Sequence, residues 1–160
     1  MKYVFFFLLC FIITSAQKSI DLPDLIKNNG HYFEGEKGKK QSIKVTFSSV
    51  LMSTGISSLY DVEGSLQIGD ETHKITGNVN YNQTETAIVN DESIQIYSAL
   101  LNIEKQGVFK GSLGLKLMPK LFNVIVFEGV LQKDKKKVPM HFDNSNQIMT
   151  YLESLKQPSK

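Results

Sequence analysis

Residues Gly107–Leu131, GVFKGSLGLKLMPKLFNVIVFEGVL, decide the fold. The stretch holds two apolar strands. Each carries a large apolar residue followed two positions later by glycine: Phe109-Lys110-Gly111 and Phe127-Glu128-Gly129. The same unit recurs as Phe33-Glu34-Gly35, Val62-Glu63-Gly64 and Ile75-Thr76-Gly77. Residues two apart share a face of a strand, so each glycine lies beside its bulky neighbour. A glycine inside a strand weakens it, and its recurrence needs a reason. Sharp bending of strands around a closed sheet is such a reason, with aromatic side chains covering the gaps. Gly35 alone reads more simply as a strand end.

Working outward, His31 to Phe142 alternates with period two rather than 3.6. Ile43, Val45 and Phe47 alternate with Lys44 and Thr46, and the phase slips at Ser48-Ser49, as at a bulge. Tyr60, Val62, Gly64, Leu66 and Ile68 face a second run, Ile75, Gly77, Val79 and Tyr81, across a turn at Gly69-Asp70-Glu71. That pair is the clearest hairpin. Further strands are expected over Thr84–Val89, Ser93–Ile103, Val108–Lys116, Leu121–Leu131 and Val138–Phe142. Eight or nine short strands at regular spacing predict an all-β fold. The expected form is an antiparallel up-and-down barrel-like sheet over 31–143, with a β-sandwich as the alternative.

The two ends of the chain read differently. Lys2, the apolar run Tyr3–Ile13 and the small residues Thr14-Ser15-Ala16 form a secretory signal over 1–16. The apolar run is too short to span a bilayer, and no transmembrane segment is expected in the mature chain. Residues 17–30 are a leader or helical turn, with Leu22, Leu25 and Ile26 as its sticky face over one end of the sheet. Residues 144–160 change period. Asn144 or Ser145 caps a helix whose apolar stripe is Ile148, Met149, Tyr151, Leu152 and Leu155. That stripe is expected to pack on the barrel wall or mouth.

The only cysteine, Cys10, lies within the signal, so the mature chain has no thiol for disulfides or thiolate metal sites. Small secreted eukaryotic domains are usually disulfide-rich. The expectation is therefore a secreted or periplasmic protein of bacterial source. All 18 basic residues are lysine and the net charge is +2, which argues against a nucleic-acid partner.

The search for chemistry yields no catalytic set, no cofactor motif and no metal site, and no enzymatic activity is expected. His31, His73 and His141 are scattered. Asp61 and Glu63 lie about 7 Å apart on one strand face. That spacing suits a glycosidase pair, but they alternate away from the apolar face and read as solvated. Two binding readings remain. In one, a barrel lined by Tyr60, Tyr81, Phe109 and Phe127 holds a small apolar molecule. The gross organisation is similar to that of lipocalin-like secreted barrels, without a diagnostic motif. In the other, the core is solid and the partner is an envelope protein met on the outside. Two lysine tips, Lys37-Lys39-Lys40 and Lys133-Lys135-Lys136-Lys137, would attract an anionic surface if they share a rim.

Overall fold

The computed structural model describes residues 22, 23, 26, 32–81, 87–89, 92–116 and 124–156. The expected signal at 1–16, His31, Leu25 and the tail after 156 lie outside the described residues. Among the described residues nine strands run in order: β1 (Phe33–Lys37), β2 (Gln41–Met52), β3 (Leu59–Ile68), β4 (Glu71–Tyr81), β5 (Ala87–Val89), β6 (Glu92–Ile103), β7 (Gly107–Lys116), β8 (Val124–Lys133) and β9 (Lys136–Asp143). A helix, α1, follows at Ser145–Lys156.

Eight of the strands close into an up-and-down antiparallel barrel. Neighbours in the wall are neighbours in sequence, apart from two closures. β1 pairs β9 from Glu34↔Asp143 to Lys37↔Met140. β4 pairs β6 from Ile75↔Ile103 to Tyr81↔Tyr97. β5 stays out of the ring. Among the described residues it pairs only with the overhanging start of β6, Ile94 to Glu92. The expected bulge is present, as the β2–β3 register shifts between Phe47 and Ser49.

The five recurrent glycines sit inside strands, not at their ends. Gly35 corrects its simpler reading: it lies mid-β1, opposite both Ile43 and Phe142. A Cβ on Gly35 would collide with the His141 carbonyl oxygen, and one on Gly129 with that of Lys110. The inward bond direction at these points runs along the sheet into the next strand. Coiling that sharp has room for hydrogen only. Gly111 and Gly129 face each other across β7–β8. The Phe109 ring covers both, its Cζ lying 2.7 Å and 2.9 Å from where their Cβ atoms would be.

Inward residues fill the barrel. Phe127 stacks on Phe142 at 4.5 Å and meets the edge of Phe33 at 5.6 Å and the tilted ring of Phe47 at 5.5 Å. Such edge and offset contacts are the favourable aromatic geometries. Leu22 and Ile26, both helical, are buried in the same cluster. α1 is fastened by polar contacts. Asn144 holds the cap position, but its buried Oδ1 accepts from the Ile125 amide of β8 at 2.9 Å, while Asp143 Oδ1 takes the Ser145 amide. Asn146 Nδ2 donates to Glu34 on β1 at 2.9 Å. Met149, expected on the packing stripe, is 55% exposed.

Candidate functional site

An up-and-down barrel sends alternate connections to alternate ends. The four tight turns, at 38–40, 69–70, 104–106 and 134–135, therefore share one end, here called the tip end. The β2–β3 connection and the β9–α1 junction fall at the other. Because β1 pairs β9, the two lysine-bearing hairpins are neighbours at the tip end. The rim shared by Lys37, Lys39, Lys40 and Lys133, Lys135, Lys136, Lys137 thus exists.

Several rim lysines are held against local physical preference. Lys133 stands directly opposite Lys136 in the β8–β9 ladder, and like charges in that position repel. Burial, and then the neighbouring charge of Lys133, hold the Lys37 ammonium below the ordinary lysine range. Lys40 and Lys105 adopt left-handed backbone conformations, with φ of 65° and 60°, where glycine is free of strain.

The tip-end mouth holds an open cavity of about 360 Å3 lined by Lys37, Gln41, Ile68, Asp70, Glu71 and Gln106. A polar strap crosses it. Lys37 Nζ donates to Gln106 Oε1 at 2.6 Å, and Gln106 Nε2 lies 3.0 Å from His73 Nε2. His73 Nε2 in turn lies 3.4 Å from Glu71 Oε2. His73 is only 4% exposed. The sequence showed it only as one of three scattered histidines, and its inward aim was the missed feature. The signal was its phase, two residues before buried Ile75. Gln106, in a turn, gave no signal.

The four rings named from the sequence all lie on the inner face. Phe109 and Phe127 belong to the phenylalanine cluster and are fully buried. Tyr60 and Tyr81 flank Tyr97 at 6.5 Å and 5.0 Å, towards the end opposite the tips. Burial, then Tyr60 and Tyr81, push the Tyr97 hydroxyl pKa upward. Tyr97, Phe33, Phe47 and Phe142 complete these clusters and were not among the four rings expected to line the barrel.

Comparison with protein-family models, curated proteins and solved structures finds no match.

Asp61 and Glu63 are exposed on the outer face of β3. His141 lies exposed on β9, 3.4 Å from Asp143. Among the described residues no three histidine or acidic side chains gather as for a metal ion. No described helix is long and apolar enough to cross a membrane.

Proposed function

We propose that this chain is an exported, non-catalytic binding protein of the cell envelope. In this reading the filled barrel is a rigid frame, and its lysine rim docks on an anionic surface of lipid headgroups. One observation carries it. The β1–β9 closure sets the two lysine-bearing hairpins side by side at the tip end, so that their positive charges gather on one rim. The interlocked phenylalanines support the solid-core form of the reading, with the partner met outside. The apolar leader and the thiol-free remainder of the chain support export.

Vesicle co-sedimentation tests the docking. The protein is expected to bind phosphatidylcholine vesicles containing about a third phosphatidylglycerol, and not pure phosphatidylcholine. Each lysine near such a surface contributes about 1 kcal/mol, so changing Lys135, Lys136 and Lys137 together to glutamine should weaken binding about a hundredfold. Rising salt should do the same. Equal binding to both vesicle types, or an unaffected triple variant, would refute the reading.

A further inference from the structure

The mouth cavity has a chemistry distinct from the outer rim. Its lining carries an ammonium on one wall, Lys37 of β1, and two carboxylates on the other, Asp70 and Glu71 at the β3–β4 tip. Gln41 and Gln106 add amides between them, and Ile68 is the single apolar contact. Among the described residues, Lys37 makes no ion pair with a carboxylate; its contact is the neutral amide oxygen of Gln106. Glu71 meets only the His73 ring at 3.4 Å, with its own side chain 78% exposed. Charges of both signs therefore face one space without neutralising each other. Two residues further into β2 and β3, Ile43 and Leu66 are buried in the core.

A lone anion entering this space would meet the Lys37 ammonium but also two carboxylates. A lone cation would meet the reverse. A molecule bearing both charges a few ångströms apart satisfies both walls, and the amides suit its remaining polar atoms. The volume of about 360 Å3 admits one molecule of amino-acid to dipeptide size.

We propose that the tip-end mouth binds a free amino acid as a zwitterion, its carboxylate on Lys37 and its ammonium on Asp70 and Glu71. The incoming carboxylate takes the place of Gln106 at the Lys37 ammonium. Gln106 keeps its contact with His73, so the strap opens at one link only. This site uses none of the outer lysines Lys135, Lys136 and Lys137, and it stands whether or not the rim docks on lipid.

Amide chemical-shift titration of the whole chain tests it, with each of the standard L-amino acids as probe at up to about 10 mM. At least one is expected to give saturable shifts at Lys37, Gln41, Asp70, Glu71 and Gln106. Its N-acetyl and carboxamide derivatives, which each lack one charge, should bind at least about tenfold more weakly. Lys37→Met and Glu71→Gln should each weaken binding by a similar factor while the spectrum keeps its β dispersion. The triple glutamine variant of the outer lysines should bind as the parent does. Absence of saturable shifts with every probe overturns the proposal. So does an N-acetyl derivative that binds as well as the free amino acid, since that marks a simple anion site.

Discussion

Gly129→Val is expected to lower the unfolding free energy by about 3 kcal/mol or more, at the severe end of what overpacking does. Urea unfolding followed by circular dichroism reads it. A Cβ at Gly129 meets the Lys110 carbonyl oxygen, the Gly111 Cα and the Phe109 ring. The first two are backbone of the paired strand and cannot yield without breaking the β7–β8 ladder. Relief of the ring alone therefore should not help: Gly129→Val stays destabilised in a Phe109→Leu background. Gly114 is the control. It lies in the same β7 strand, and a Cβ there meets nothing closer than Ile94 Cγ2 at 3.7 Å. Gly114→Ala should be neutral or stabilising by about 0.5–1 kcal/mol, because it removes glycine from a strand without a clash. Equal effects at Gly114 and Gly129 would mean that the recurrent glycines have no special place in the wall.

Phe127→Ala should cost about 3–5 kcal/mol, the range for deleting a buried ring. Phe127 touches rings from three strands: Phe33 of β1, Phe47 of β2 and Phe142 of β9. Its loss opens the middle of the barrel on the side of the β1–β9 closure. Phe127→Leu, nearer in volume, should cost less, about 1.5 kcal/mol. The same urea midpoints measure both. A cost for Phe127→Ala below about 1 kcal/mol would show an interior loose enough to collapse around the gap, and would favour a barrel with room for a guest.

The sequence carried the wall of this fold and little of its mouth. Period-two alternation in Tyr60–Ile68 and Ile75–Tyr81 has one reading, and the strands and their hairpin follow. The glycine beside a bulky residue announced coiling because a glycine repeatedly placed mid-strand needs a reason, and sharp bending supplies one. Closure was less legible, because which strand β1 meets is set by curvature summed around the ring. The β6 strand shows why the count of strands stayed open. Its apolar residues occupy both faces towards Leu100 and Leu101, so alternation could not show that it overhangs the ring to hold β5. At the mouth, lysine-rich tips were visible, but their adjacency depends on β1 pairing β9. The strap of Lys37, Gln106 and His73 joins residues up to 69 positions apart through side chains common in turns.

The account stands on ring closure, and interstrand proton contacts measured by nuclear magnetic resonance test it most directly. Two sets are predicted together: β1 to β9, including Glu36 with His141, and β4 to β6, including Asn78 with Leu100. Both present establishes a wall without edges. Loss of either set, with the hairpin contacts retained, would leave an open sheet or a sandwich. The shared lysine rim requires the β1–β9 set, and the strap across the mouth requires both.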